Sequence, residues 1–118
     1  MRAYLIDPES RSITEVDWDG DYKSIYTHLG CELFDCVEID PVTMDSVYVD
    51  DEGLFKNPTR FFQISGPHFI SSPLAGKGLV LGYDVNTGES EAPKLSLEAV
   101  EALVTWVALE DIPAFEPL

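Results

Sequence analysis

The sequence predicts an α+β fold in a single domain over residues 1–118, and two kinds of hydrophobic pattern support this prediction. Short apolar segments bounded by turn residues recur through the chain, which is typical of antiparallel strands. Two other segments place apolar residues at helical spacing. We therefore expect a curved, mostly antiparallel β-sheet packed against a short helix at about 21–29 and a C-terminal helix at about 97–109. A chain of 118 residues is long enough for one hydrophobic core but not for two.

The predicted strands form two hairpins followed by two further strands. They cover residues 3–6, 12–18, 33–40, 46–50, 61–64 and 78–84. Asp7-Pro8 starts the turn of the first hairpin, because both residue types favour tight turns. In the second hairpin, Val47 and Val49 are expected on one face, because side chains alternate along a strand. The segment GLVLGYD at 78–84 is apolar over most of its length and is therefore predicted to be the most buried strand.

The two helices are predicted from spacing and from the residues at their ends. Apolar and aromatic residues recur at i, i+3, i+4 and i+7 between Tyr22 and Leu29. Asp21 suits the start of this helix and Gly30 suits its end. Ser96 can cap the second helix, LEAVEALVTWVAL, whose wide apolar face must pack on the sheet or on a second subunit.

Charge is the most unusual property of the composition. The chain has 22 acidic and 7 basic residues, which gives a net charge of −15 and an isoelectric point near 4.1. Direct binding to nucleic acid is disfavoured, because the protein would approach phosphates against its own field. Between Ser24 and Phe55 there is no lysine or arginine, and we predict that the acids of this run form a protein-binding surface. The residues of the predicted surface are Glu32, Asp35, Glu38, Asp40, Asp45, Asp50, Asp51 and Glu52. The alternative that acidity only confers solubility remains open.

A Gly/Pro-rich segment around Lys77 is the second candidate site. It is not a P-loop, because Ser71 stands at the first glycine position of that motif and Gly78 at its Ser/Thr position. A glycine-rich loop with one ammonium group could still hold a phosphate or a carboxylate. The alternative prediction is therefore a small-ligand site, with nucleotides as one ligand class, in the loop at 67–78. Its residues are Phe69, Gly76, Lys77 and Gly78. A purely structural turn is the competing interpretation.

Metal binding and catalysis are not expected. His28, Cys31, Cys36 and His68 are zinc-ligand types at tolerable spacing, but Cys36 alternates with apolar residues and is expected to pack as a reduced thiol. The segments DWDGD and DVNTGE resemble calcium loops but lack the bidentate Glu at position 12, so both are predicted to be turns. No spacing places a nucleophile beside a base and an orienting acid. We predict a non-enzymatic protein without cofactor.

Four stretches of the chain together resemble a family of small uncharacterised proteins, a domain of unknown function found in phages, plasmids and other mobile elements of bacteria. These stretches are LIDPESRSITEV, GDYKSIYTHLGC, VYVDDEGLF and PLAGKGLVLGYD. The resemblance implies a setting, the bacterial cytoplasm during residence of a mobile element, and it implies no catalytic residue.

The function predicted from these observations is that of an acidic accessory protein that binds a basic protein surface. A host nucleic-acid-binding protein is one such partner, and a DNA-mimic type of inhibitor of a host defence factor is the sharpest form of the hypothesis. A homodimer remains open. No apolar run approaches the length of a membrane span and no signal peptide is recognisable, so a cytoplasmic location is expected.

Overall fold

A computed structural model of the chain describes residues 1–21, 23–30, 34–50, 52, 56, 58–67 and 70–111. Its strands are β1 (Arg2–Asp7), β2 (Ser12–Asp17), β3 (Phe34–Glu38), β4 (Ser46–Asp50), β5 (Arg60–Ile64), β6 (Leu74–Ala75), β7 (Gly78–Tyr83), β8 (Ser90–Glu91) and β9 (Val104–Ala108). Its helices are α1 (Lys23–Leu29) and α2 (Leu97–Leu103), and a short 3-10 turn spans Leu109–Asp111.

The strands form two sheets in which every pairing is antiparallel. The larger sheet has the order β2-β1-β7-β4-β3, and β8 pairs with the end of β7. The smaller sheet has the order β6-β5-β9. Strand β7 is the centre of the larger sheet and is buried from Gly78 to Gly82, as its apolar sequence predicts.

Alternation along the central strands divides the apolar side chains between two cores. On one face of the larger sheet, β1, β4 and β7 pack against the smaller sheet and α2. This core contains Tyr4, Ile6, Ile39, Val47, Val49, Phe62, Ile64, Val80 and Val100. On the other face, the sheet packs against α1 and a buried tryptophan. This second core contains Ala3, Trp18, Ile25, Leu29, Leu79 and Leu81. The larger sheet is therefore the middle of three layers.

The α+β prediction is confirmed, and so are the ends of the first helix. The Asp21 carboxylate accepts the N–H of Lys23 at 3.0 Å, and Gly30 ends the helix with φ +64. Strand β4 has the predicted bounds, and Val47 and Val49 share the buried face. The prediction of a single sheet is corrected by the second, three-stranded sheet.

The predicted helix at 97–109 is wrong in its second half. Ser96 caps α2 as expected, accepting the N–H of Ala99 at 3.2 Å, but the helix ends at Leu103 and the chain continues as β9. The segment VTWVA is rich in β-branched and aromatic residues, which favour strands, and it pairs along all of β5. A continuous apolar run fits a buried helix and a buried strand equally well, so periodicity could not separate them.

Asp45, predicted on an acidic surface, is instead fully buried. Its two carboxylate oxygens accept the backbone N–H groups of Lys94 at 3.1 Å and Leu95 at 2.7 Å. These bonds fasten the β3–β4 turn to the segment that leads into α2. Gly82 makes room for this contact, because a Cβ there would lie 3.2 Å from the Asp45 carboxylate and would also collide with the carbonyl of Ala92. Asp45 is therefore a structural carboxylate.

We expect Gly78→Ala to lower the free energy of unfolding by about 1–3 kcal/mol through overpacking. A Cβ at this position would lie 2.7 Å from both Phe62 and Val47. Urea denaturation of Gly78→Ala, Phe62→Leu and the double variant measures the effect. The cost of Gly78→Ala should be smaller when Phe62 is already shortened. Additive costs would show that the contact with Phe62 is not the cause.

We expect Asp45→Asn to destabilise the fold by about 1–3 kcal/mol, because the amide offers one acceptor where two buried N–H groups need two. The matched control is Glu38→Gln, which removes the same charge from an exposed side chain and should change stability by less than about 0.5 kcal/mol. Thermal and urea unfolding of both variants test the difference. Equal losses would mean that charge, and not the buried hydrogen bonds, determines the effect.

Candidate functional site

A cavity of about 300 Å³ lies at the end of the larger sheet where β1 and β4 finish and β7 begins. These three termini meet because β7 runs antiparallel to both of its neighbours. The end of α1 and the segment before β5 complete the walls. The lining residues are Asp7, Pro8, Glu9, Leu29, Gly30, Asp50, Lys56, Pro58, Thr59, Arg60, Gly76 and Lys77.

The cavity concentrates positive charge in a strongly acidic chain. Lys56, Arg60 and Lys77 are three of the seven basic residues of the whole sequence. Asp7, Glu9 and Asp50 line the same cavity, so acidic and basic side chains are equal in number among the described lining residues. The protein as a whole carries a large negative excess, so an anion meets less repulsion at this cavity than over the surface in general.

The three basic side chains differ in how far they are already engaged. Lys56 Nζ lies 2.6 Å from Asp50 Oδ2, and the Asp50 side chain is only 7% exposed. Arg60 Nη1 donates to the main-chain carbonyl of Glu9 at 2.6 Å, which leaves other guanidinium donors for a ligand. Lys77 is exposed, and within the described part of the chain its ammonium group contacts no hydrogen-bond acceptor or carboxylate. Lys77 is therefore the cation most available to an incoming group.

Only some of the residues predicted for the small-ligand loop line the cavity. Gly76 and Lys77 line the cavity, and Gly76 has φ +80, a turn conformation that glycine adopts without strain. Gly78 does not face the cavity as a ligand contact, because it is buried and its missing side chain makes room for Phe62 and Val47. Phe69 lies outside the described residues.

The residues predicted to form one acidic surface also separate. Asp35 and Glu38 are exposed on β3, which is an edge strand of the larger sheet. The carboxylate of Asp35 accepts the N–H of Cys36 at 2.8 Å, so part of this edge is engaged by the protein's own side chain. Asp40 is half-buried and Glu52 is exposed. Asp45 is buried and Asp50 is paired with a lysine, so neither adds a free surface charge.

Two members of the predicted surface, Glu32 and Asp51, lie outside the described residues. The other members occupy the edge strand, the β3–β4 turn and the two ends of the sheet. The described members of this acidic run therefore do not share a single face.

Carboxylates are gathered instead at the end of the larger sheet opposite the cavity. The strand pairings bring together the end of β2, the end of β3 and the β7–β8 turn. We call this region the acidic end, and its carboxylates are Asp17, Asp19, Asp21, Glu38, Asp40, Asp84, Glu89 and Glu91. The positive groups there are the N-terminal amine, Arg2, Lys23 and Lys94. Carboxylates thus outnumber the positive groups two to one.

Many aspartates have a local structural role that accounts for part of the acidity. Each of six carboxylates accepts the backbone N–H two residues later and so stabilises a turn. The residues are Asp7, Asp19, Asp21, Asp40, Asp50 and Asp84. The hydrogen bond from the N–H of Asp21, followed by that from the Ser24 hydroxyl, lowers the pKa of Asp19. The acids without such a role at the acidic end are mainly glutamates.

The turn interpretation of the two calcium-like segments is supported by these hydrogen bonds within DWDGD and DVNTGE. For zinc, Cys31 and His68 lie outside the described residues, and no group of three metal-ligand side chains occurs among the residues that the structure describes. The prediction that Cys36 packs as an apolar thiol is wrong, because Cys36 is exposed on β3. Its neighbour across the strand pair is Tyr48, whose pKa is raised by burial.

Sequence reasoning identified Lys77 but missed the residues that complete the cavity. Lys56 precedes β5 and Arg60 is its first residue, whereas Asp7 ends β1 and Glu9 lies in the β1–β2 turn. They lie far from Lys77 along the chain, and no local motif links them. The pairing of β1 with β7 brings Asp7 and Glu9 close to Lys77. The ion pair of Lys56 with Asp50 and the hydrogen bond of Arg60 to the Glu9 carbonyl hold the other two cations at the same cavity.

Comparison with known proteins gives a family but no activity. A family model described as a domain of unknown function, DUF3846, matches residues 1–104. No curated protein and no solved structure gave a match. Within the described residues, neither helix has the length and apolar character needed to span a bilayer. Since the family model covers most of the sequence, the chain belongs to the DUF3846 family of domains of unknown function.

Proposed function

We propose that this protein is a non-enzymatic binding protein whose acidic end docks on a basic protein surface. The observation that supports the proposal is the unequal distribution of charge along the larger sheet. Carboxylates prevail at the acidic end, whereas acidic and basic residues are equal in number among the described residues that line the cavity at the opposite end. An uneven distribution of this kind orients the protein so that its acidic end faces a basic partner. Acidity that served only solubility could be spread evenly and would not orient the protein.

A nucleic-acid-binding protein is the partner class that fits this proposal best. Duplex DNA carries one negative charge per roughly 1.7 Å of axis, so its protein partners present dense positive grooves. The carboxylates of the acidic end are held on turns and strand ends, and many are fixed by main-chain hydrogen bonds. Fixed negative groups lose little conformational entropy on binding, which favours imitation of a phosphate backbone.

The setting of the proposal is the cytoplasm of a bacterium that carries a phage or another mobile element. In that setting, a small acidic protein that occupies the DNA-binding groove of a host defence factor would protect the incoming DNA. The proposal requires no catalytic group and no cofactor.

The test is displacement of a fluorescent DNA duplex from a panel of purified basic bacterial DNA-binding proteins, measured by anisotropy. We expect the wild type to displace the duplex from at least one of them, and Glu38→Lys/Glu89→Lys to do so about tenfold less well. Both glutamates are exposed at the acidic end and neither holds a turn with its carboxylate. Direct binding to the same partner, measured without DNA, should also weaken as the Debye length falls from about 10 Å at 0.1 M salt to about 3 Å at 1 M.

The matched control is Glu52→Lys/Glu110→Lys, which changes the net charge equally. Both residues are exposed, Glu52 follows β4 near the cavity, and Glu110 follows Leu109, whose N–H donates to the carbonyl of Thr59 in the cavity wall. This variant should keep most of the displacing activity. Equal losses in the two double variants would mean that only total charge matters, and a lack of displacement throughout the panel would reject the partner class.

A further inference from the structure

The cavity at the opposite end of the sheet has a mixture of groups that suits a small phosphorylated ligand. We propose that it binds a sugar phosphate, with Lys77 and Arg60 facing the phosphoryl group and the carboxylates of the cavity wall accepting hydrogen bonds from the sugar hydroxyls. This site is independent of the docking proposed for the acidic end, since the two regions lie at opposite ends of the sheet and share no residue.

The anionic half of the ligand is assigned from the state of the basic side chains. Lys56 is paired with Asp50, whereas Lys77 has no such partner among the described residues. Arg60 has one donor tied to the carbonyl of Glu9, a contact that holds the guanidinium at the cavity. A guanidinium with free donors and a nearby ammonium group form a common arrangement for phosphate, because the fork matches two oxygens and the ammonium adds a point charge.

The hydroxyl-bearing half of the ligand is assigned from the acidic residues in the same cavity wall. Asp7 and Glu9 would repel a ligand that is only an anion, which makes inorganic phosphate a poor match. One oxygen of Asp7 already accepts the N–H of Glu9 at 3.0 Å, which fixes the carboxylate and leaves its second oxygen as an acceptor. Carboxylates in nucleotide sites commonly accept hydrogen bonds from sugar hydroxyls. A ligand with both a phosphoryl group and hydroxyl groups can pair with the basic side chains and donate hydrogen bonds to the carboxylates.

Size and lining restrict the ligand further. A volume of about 300 Å³ is at the lower limit of typical small-molecule sites, which favours a compact ligand. Pro8, Leu29 and Pro58 are the apolar residues of the described wall, and no aromatic ring is among the described lining residues. Among these residues a nucleobase finds no aromatic stacking surface, and a lipid finds no apolar channel. The described wall therefore favours a sugar phosphate over a nucleotide.

The experiment is calorimetric titration of the purified protein with ribose 5-phosphate, inorganic phosphate, ribose and adenosine monophosphate. We expect saturable binding of ribose 5-phosphate, at least tenfold weaker binding of inorganic phosphate and of ribose, and no gain from the base of the nucleotide. Lys77→Gln should weaken binding of ribose 5-phosphate by about tenfold. The matched control Lys23→Gln removes the same charge from an exposed lysine of α1 and should leave the affinity unchanged.

Several outcomes would overturn the proposal. Absence of saturable binding by ribose 5-phosphate would reject the site, and equal affinity for inorganic phosphate would reject the role of the hydroxyls. Tighter binding of adenosine monophosphate would replace the sugar phosphate with a nucleotide. Equal weakening by Lys77→Gln and Lys23→Gln would show a general charge effect. Because Lys77 is exposed, a circular dichroism spectrum of each variant should match that of the wild type.

Discussion

The close packing around β7 is the constraint on which the rest of the structure depends. This strand is buried on both faces, so it can accept neighbours only where its own side chains leave space. Glycines stand at the two points of closest approach. Gly78 admits Phe62 from the smaller sheet, and Gly82 admits the carbonyl of Ala92 and the carboxylate of Asp45. The second sheet and the entry to α2 are thereby fixed to the same strand.

The central position of β7 also determines where the charged groups meet. Because β7 runs antiparallel to β1 and β4, its start lies beside their ends and its end lies beside their starts. One group of connections forms the cavity with Lys77, and the other forms the acidic end. Two chemically different surfaces thus arise from one topological feature, although neither corresponds to a continuous stretch of sequence.

The acidity of the protein has two physical roles that the composition does not separate. Six aspartates stabilise turns through their neighbouring backbone N–H groups, and Asp45 fastens a turn to a distant segment. The exposed glutamates have few such bonds and are more available for long-range attraction. At the acidic end, Lys94 forms an ion pair with Glu91 at 2.9 Å, which raises the pKa of Lys94, and its positive charge offsets part of the charge of the carboxylates.

The sequence by itself determined the α+β class, most of the strands, the ends of α1 and the start of α2, because these depend on local patterns of hydrophobicity and capping. It also singled out Lys77. Tertiary structure alone decided that VTWVA is a strand, since its pairing partner β5 lies about 40 residues earlier. It likewise decided that Asp45 is buried and that Lys56 and Arg60 join Lys77. The burial of Asp45 and the grouping of the three basic residues depend on contacts between segments that are distant in the sequence. The local pattern of residue types does not indicate the strand register that brings those segments together.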